Sequence, residues 1–323
     1  MKVLWPHNFD LSKPNAGIFM LNAAQGLKDL GADIHLEYLG NLSSPFNIFK
    51  AYKRVNEISK NFDIIHAQYG SACAFVVSKV KLCPKILTLR GSDWNVYFTS
   101  NSIENLHSVF STQFTRLAIN SYNIVITVSK RLESEVKKRN PNIEVVTLPS
   151  PIDLQRFLPL NKAVARAAFG FQNNIEKWIL FTANNTNNPL KRYRLAKRAV
   201  EIANEKIGNI RLRIATGIPH SDVPQFVGAC DLVLCTSVSE GWPNSIKEAL
   251  ACNIPFVSTD VSDLKVIASR EPSCRVCEPD PVILAKNICE VLQSKENIKL
   301  RDYVSEMSMQ NISSEMYALY KSL

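Results

Sequence analysis

Residues 231–252 read Asp231-Leu232-Val233-Leu234-Cys235-Thr236-Ser237-Val238-Ser239-Glu240-Gly241-Trp242-Pro243-Asn244-Ser245-Ile246-Lys247-Glu248-Ala249-Leu250-Ala251-Cys252. The run from Asp231 to Cys235 is short and almost continuously apolar, which suits a strand buried on both faces. Small residues follow as a loop, and Pro243 suits the first position of a helix, where its missing N–H costs nothing. The amides of Asn244, Ser245 and Ile246 are then expected to point out of the helix start, where backbone N–H groups attract anions. Glu240 lies in the loop and Glu248 about one and a half turns into the helix. That spacing lets one carboxylate meet each end of a ligand lying over the helix start. Each carboxylate offers two oxygens to hydroxyl donors. The spacing alone describes equally well a solvated helix with ordinary acidic residues.

Outward from this segment, the same strand–loop–helix unit recurs along the chain. Strands are expected at Lys2–Trp5, Asp33–Tyr38, Ile64–Ala67, Ile86–Leu89, Ile124–Val128 and Val145–Leu148, with helices such as Ile18–Leu30, Val55–Lys60, Phe110–Ile119 and Lys130–Lys138 between them. Pro149, Pro151 and Pro159 interrupt the rhythm, and a short helix at Lys162–Phe169 follows. It restarts with strands at Ile179–Thr182, Leu212–Ala215, Leu232–Cys235 and Phe256–Ser258. Helices are expected at Tyr193–Glu205, Asp222–Cys230, Asn244–Ala251 and Val282–Leu292. Alternation of this kind makes an α/β fold of doubly wound parallel sheets. The expected organisation is two Rossmann-like domains, 1–155 and 156–300, then an amphipathic helical stretch at 301–323 returning to the N-terminal domain. Ligands of such sheets bind outside the carboxyl ends of the strands, so two facing domains imply a cleft.

Composition agrees with that reading. The 323 residues suffice for about two domains. With 46% apolar and 21% charged residues the chain is an ordinary globular one, neither disordered nor collagen-like. No run approaches the ~18 apolar residues a membrane-spanning helix needs. The start, Met1-Lys2-Val3-Leu4-Trp5-Pro6-His7-Asn8, turns polar too early for a signal peptide. Six of the eight cysteines stand singly among apolar neighbours, as small buried hydrophobes do. Cys274 and Cys277 form one C-x-x-C without a second ligand pair nearby. A cytoplasmic location is expected. Lys and Arg total 38 against 29 Asp and Glu, a net charge of +9 that favours nucleic acid, phosphorylated small molecules or an acidic membrane surface.

The Glu240-to-Glu248 segment, continued by Ala249-Leu250-Ala251-Cys252-Asn253-Ile254-Pro255-Phe256-Val257-Ser258-Thr259, resembles the E-x7-E region of glycosyltransferase family 4. Upstream, His220-Ser221-Asp222-Val223-Pro224 resembles the helix leading into it. In the N-terminal half, Asp63-Ile64-Ile65-His66-Ala67-Gln68 is similar to the family's D-x-x-H-x-H. Thr88-Leu89-Arg90-Gly91-Ser92-Asp93 is similar to T-x-H-G-x-D, and Leu148-Pro149-Ser150-Pro151-Ile152-Asp153, with Phe157, to P-N-G-V-D-x-x-x-F. The chain departs from the pattern at Gln68 and Arg90, where the family has histidines. It departs again at Ser150-Pro151, in place of Asn-Gly, and at Ala183-Asn184, in place of Gly-Arg.

The resemblance implies a GT-B enzyme that moves a hexosyl unit, with retention, from a nucleotide diphosphate sugar to an acceptor hydroxyl on a lipid-linked or cell-envelope saccharide. By motif position it gives Glu240 to the transferred sugar, Glu248 to the ribose hydroxyls, and His66 and Asp93 to the acceptor side. The Gly17 amide, Lys191, Arg192 and the loop and helix-start residues Gly241, Trp242, Asn244 and Ser245 go to the nucleotide and its diphosphate. Cations near a departing diphosphate offset its developing charge. No Asp-x-Asp occurs, so neither a metal nor another cofactor is expected. His66 also reads as a hydrogen-bonded core histidine, and Asp93 as a turn cap. Basic clusters at Lys50–Arg54, Lys130-Arg131 and Lys137–Arg139 suggest docking on an anionic membrane. A sugar-nucleotide epimerase is the rival enzyme. A nucleic-acid-binding protein is disfavoured for want of a recognised binding motif.

Overall fold

Ile124-Val125-Ile126-Thr127 and Leu232-Val233-Leu234-Cys235 are buried at every position, as strands covered by helices on both faces must be. A computed structural model of the chain, describing residues 1–13, 16–99, 102–171, 175–183, 185–219, 221–294 and 299–323, places each between two neighbouring strands of its own parallel sheet. By its contacts the chain forms two units. One comprises Met1–Pro151, Ser239–Trp242 and Met309–Leu323, the other Ile152–Val238 and Pro243–Ser308. Asn184 and His220 lie outside the described residues.

The first unit runs β1 (Lys2–His7), α1 (Ile18–Asp29), β2 (Asp33–Tyr38), α2 (Pro45–Ile58), β3 (Ile64–Ala67) and α3 (Ser71–Ser78). It continues with β4 (Lys85–Leu89), α4 (Ser102–Ala118), β5 (Ile124–Thr127), α5 (Lys130–Arg139) and β6 (Glu144–Thr147). Its sheet has the order β2-β1-β3-β4-β5-β6, with Val3 level with Ile64 and Ile86 with Ile124. Val3, Trp5, Ile64, Ile86 and Ile124 line one face and pack against Met20, Ala23, Ala24 and Leu27 of α1. Met20 and Leu27 are fully buried, each contributing about 1.5–3 kcal/mol.

The second unit runs α6 (Lys162–Ala167), β7 (Lys177–Phe181), α7 (Tyr193–Ile207), β8 (Ile210–Ile214), α8 (Val223–Gly228) and β9 (Leu232–Cys235). After it come α9 (Asn244–Ala251), β10 (Phe256–Ser258), α10 (Leu264–Ala268), β11 (Arg275–Val276) and α11 (Pro281–Gln293). Its sheet order is β11-β10-β9-β7-β8, again parallel throughout. Ile179, Phe181, Leu232 and Leu234 meet the alanine-rich face of α7 (Ala196, Ala199, Ala203) and Leu284 and Ile288 of α11.

The C-terminal stretch is not one helix. A 3-10 segment, Arg301–Met307, ends at Ser308, whose extended backbone (ψ 152°) breaks the run before α12 (Met309–Lys321). Arg301 fastens that segment inside the second unit by donating to the carbonyls of Leu154, Phe157 and Ala251. α12 joins the first unit's core through Ile312, Met316 and Tyr320. A Cβ on Gly26 of α1 would collide with Ser313 Oγ, so glycine is what lets these two helices close.

Beyond the C-terminal stretch and the unexpected α10 of the second unit, three helices of the first unit differ from the sequence reading. α2 starts at Pro45 rather than Val55, capped by Ser44, which accepts from the Asn47 amide at 3.2 Å. α4 starts at Ser102 rather than Phe110: its buried face carries Ser108, Ser111, Thr112 and Thr115, while Ile103, Leu106, Phe110 and Leu117 are exposed, so the apolar stripe does not mark the core side. α3 was not expected: it is buried nearly all round, and its apolar run resembles a loop between strands more than an amphipathic helix.

Candidate active site

In both units the candidate residues come from the carboxyl ends of strands, the edge where parallel sheets hold ligands. At the end of β1 the chain loops round to Gly17, whose φ of 69° lies in the left-handed region that favours glycine. A Cβ there would also fall 2.9 Å from Leu11 Cδ2. Gly17 opens α1, and no acidic side chain stands in the first turn to compete for an anion.

His66, at the end of β3, is fully buried, with both ring nitrogens engaged. Nδ1 lies 2.6 Å from Tyr320 Oη and Nε2 lies 2.6 Å from Thr88 Oγ1, while Trp5 Nε1 donates to the same tyrosine oxygen at 2.9 Å. One assignment leaves no bridging proton unpartnered: Trp5 donates to Tyr320, Tyr320 to Nδ1, and Nε2–H to Thr88. Burial, with the Arg90 charge, lowers the histidine pKa to about 3 and keeps the ring neutral. The structure therefore places His66 inside a buried chain of hydrogen bonds and Thr88, its last member, on a small depression at the sheet edge.

Asp93 is also fully buried. Its carboxylate accepts from the amides of Gly70 (2.8 Å), Arg90 (2.9 Å) and Gly91 (2.9 Å). Burial raises its pKa and those amides pull it back. Asp93 thus holds the loop after β3 to the loop after β4. Arg90 projects beside it. Its Nε donates to Gln68 O at 3.0 Å, one terminal nitrogen to Ser150 Oγ at 3.0 Å, and the other to Gln68 Oε1 at 3.2 Å. The guanidinium lies over the Phe19 ring, 4.0 Å from its centroid.

The Ser239–Trp242 segment groups with the first unit. Gly241 lies against the Arg90 backbone so closely that any Cβ would collide with the Arg90 carbonyl. Glu240 is half-buried in this loop and Trp242 is buried.

In the second unit, Lys191 and Arg192 follow Pro189 in a 3-10 turn, and Arg192 takes the left-handed conformation (φ 50°) at the start of α7. Thr236 Oγ1 donates to the Lys191 carbonyl at 2.7 Å, and the Val238 amide donates to Leu190 O at 2.8 Å. Arg192 answers from its side chain, donating from Nε to Thr236 O at 2.6 Å and from a terminal nitrogen to Ser237 O at 2.7 Å. Its guanidinium braces the loop after β9, whereas Lys191 is half-buried at the end of the turn.

α9 begins one residue later than its proline suggested: Pro243 is the N-cap rather than the first helical residue. Its carbonyl accepts from the Ile246 amide at 3.1 Å, which corrects the expectation that Ile246 presents a free N–H. The amides of Asn244 and Ser245 have no acceptor among the described residues. Glu248 is half-buried on α9, and burial raises its carboxyl to about 7 against the opposing charges of Lys247 and Arg156.

The partners of His66 escaped the sequence reading because Tyr320 lies 254 residues away. His7 was passed over too. β1 runs on through Pro6 to bury it, with Nδ1 unpartnered and its pKa lowered by burial. Its pairing with Tyr38 of β2 makes Pro6 a strand residue.

Residues 16–156 match the model for Glycosyltransferase Family 4, and residues 196–294 that for Glycosyl transferases group 1. Among curated proteins, "Putative teichuronic acid biosynthesis glycosyltransferase TuaC" of Bacillus subtilis is 29% identical over 221 residues, 62% of this chain. The match spans about half (53%) of that relative's own length. Among solved structures, sucrose-phosphate synthase from Thermosynechococcus elongatus superposes with a TM-score of 0.78 at 14% identity, covering 100% of this chain and 99% of that one. Anabaena HepE, solved in complex with UDP and glucose, gives a TM-score of 0.76 at 15% identity, covering 100% of both chains. At these identities the likeness is one of fold.

Proposed function

Because the chain belongs to the group 1, family 4 glycosyltransferases, enzymes of two parallel-sheet Rossmann-like units, we propose that it transfers a hexosyl unit, with retention, from a nucleotide diphosphate sugar to an acceptor hydroxyl. The observation that carries the reading is the β9–loop–α9 segment. Glu240 stands in the loop, two helix-start amides lack internal acceptors, and Glu248 sits one turn further on. HepE's complex with UDP and glucose supports a uridine-linked donor. In this reading Glu240 meets the transferred sugar and Glu248 the ribose hydroxyls. Lys191 and the Asn244 and Ser245 amides take up charge as the bond from the anomeric carbon to the diphosphate breaks. The acceptor oxygen bonds to that carbon, and its proton leaves with the diphosphate. Arg192 acts by holding the Thr236–Ser237 carbonyls in place. No metal is needed for this charge balance.

A panel of UDP-, GDP- and ADP-hexoses, read first by thermal stabilisation and then by product analysis, tests the proposal. A glycosylated acceptor is expected. An isomerised free sugar would instead establish the epimerase.

The acceptor is taken to be lipid-linked or part of a cell-envelope saccharide, reached at an anionic membrane. Among the described residues no helix is long and apolar enough to cross a membrane. Support for surface binding comes from α2, which exposes Phe46 (74%) and Phe49 (53%) beside Lys50 and Lys53, and from the apolar groove that Phe49 lines with Phe75 and Phe114. On α5, Lys130 and Lys137 close on Glu133, at 2.9 and 2.6 Å, so α2 is the surface to test first. Flotation with phosphatidylglycerol but not phosphatidylcholine vesicles is expected, and Lys50→Glu with Lys53→Glu should abolish it. Equal binding to both vesicles would refute the docking.

A further inference from the structure

Of the N-terminal departures from the family pattern, Gln68, Arg90 and Ser150 are not scattered. Arg90 donates to the side chains of both others, 3.2 Å to Gln68 Oε1 and 3.0 Å to Ser150 Oγ. A third bond to Gln68 O, and the Phe19 ring beneath the guanidinium, fix its remaining freedom. Such a plane is held in one orientation before any ligand arrives, which is what a bidentate contact needs.

Arg90 makes no ion pair, although the charge of buried Asp93 beside it favours its cationic form. Among the described residues no carboxylate lies within ion-pairing distance of its guanidinium. Asp93, the nearest acid, has its oxygens turned to the amides of Gly70, Arg90 and Gly91. Three of the five guanidinium N–H groups have named acceptors, and two do not. The group is half-buried on the depression that Thr88, Gln68, Phe19 and Ser150 also line, at the carboxyl ends of β3 and β4. Burial lowers its pKa to about 10, so it stays cationic at neutral pH. A partly desolvated cation with two unused donors at a ligand-binding edge fits a planar or tetrahedral anion far better than a neutral hydroxyl.

We propose that Arg90, aligned by Gln68, Ser150 and Phe19, binds a carboxylate or phosphate carried by one of the two saccharide substrates, and so selects an anionic sugar over its neutral counterpart. The proposal rests on the nucleotide-sugar reading, and the same shared chemistry has two sources: a uronic acid on the donor, or an acidic group on the acceptor. In the donor arm, UDP-glucuronic acid is compared with UDP-glucose. In the acceptor arm, methyl glucuronide and glucose 6-phosphate are compared with methyl glucoside, by calorimetric binding and by turnover where it occurs.

One arm should show an anionic-over-neutral preference, and Arg90→Gln should cut that ratio by about 10- to 100-fold, the scale of a charge-assisted hydrogen-bond pair. Arg90→Lys should keep part of the ratio. Ser150→Ala, which leaves the cation in place, should lower it less. The arm that responds identifies the source. A ratio near one in both arms, or a ratio that Arg90→Gln leaves unchanged while overall activity falls, would overturn the proposal by reducing Arg90 to a structural brace. UDP binding is the separate readout: its absence would count against the nucleotide-sugar reading, whereas an Arg90-dependent preference for the acidic sugar would stand by itself.

Discussion

Tyr320→Phe removes one oxygen from the interior of the first unit and disconnects two elements. That oxygen accepts from Trp5 Nε1 at 2.9 Å and lies 2.6 Å from His66 Nδ1, and all three side chains are buried. The ring still fills its space, so the loss is one of hydrogen bonding. Leaving a buried donor or acceptor unsatisfied costs about 1–3 kcal/mol, and here an indole N–H and an imidazole nitrogen are orphaned together, for about 2–6 kcal/mol. In a domain of this size each kcal/mol moves the melting point by about 2–4 °C, so the first unit should melt roughly 4–24 °C earlier. Differential scanning calorimetry of the whole chain resolves the effect if the second unit keeps its own transition. Trp5→Phe loses only the indole bond, since Tyr320 still donates to His66, but adds the cost of the cavity left by the indole. The double variant should cost less than the two singles combined, with a coupling of at least about 0.5 kcal/mol. A shift below about 1 °C, or strict additivity, would refute the bridge between α12 and β3.

Glu240→Gln and Lys191→Ala should each lower transfer by about 100-fold or more, the usual cost of removing one group that stabilises a transition state. Circular dichroism should show the fold intact, and near-wild-type turnover in both would refute the assignment. Glu248, with its carboxyl raised to about 7, is half protonated at neutral pH, so donor affinity should weaken as the pH falls below about 7. Calorimetric titration of UDP between pH 5.5 and 8.5 checks this, and Glu248→Gln should flatten the profile (about tenfold between the extremes). Treatment with EDTA should leave turnover unchanged; a loss restored by magnesium would show that charge at the diphosphate is met differently.

The strands were legible wherever a run of aliphatic residues was bounded by polar ones. β3, β9 and β10 fall on the expected residues, because burial on both faces leaves little choice of composition, and β2, at the sheet edge, falls there through its alternation of polar and apolar residues. Helices were legible only where one face was polar. α3 is buried nearly all round, so the period of 3.6 residues does not show in its hydropathy; α4 buries serines and threonines and exposes Ile103, Leu106, Phe110 and Leu117, so its period points away from the core. The break at Ser308 was invisible for another reason. Arg301 reaches three backbone carbonyls, from residues some 50 to 147 positions away, and local pattern carries no trace of such a bond.

For the site, motif position identifies which residues gather at a sheet edge but not which atoms of each remain available there. Lys191 and Arg192 are adjacent cations with equal claims on a diphosphate in the sequence. In the structure Arg192 has spent its guanidinium on the carbonyls of Thr236 and Ser237, so neighbouring charges divide between bracing and binding. His66 and Asp93 divide the same way from Arg90. The histidine and the aspartate satisfy buried partners on every side, while the arginine keeps two donors in reserve. A departure from a family pattern reads as a loss when met singly. Three departures bonded to one another at one edge are better explained as a single exchange of recognition chemistry, because each alone would leave a polar group in the depression without a partner. Gln68→His should therefore harm the chain more alone than together with Arg90→His and Ser150→Asn. A triple variant that melts below the single one, by calorimetry, would show the three positions to be independent.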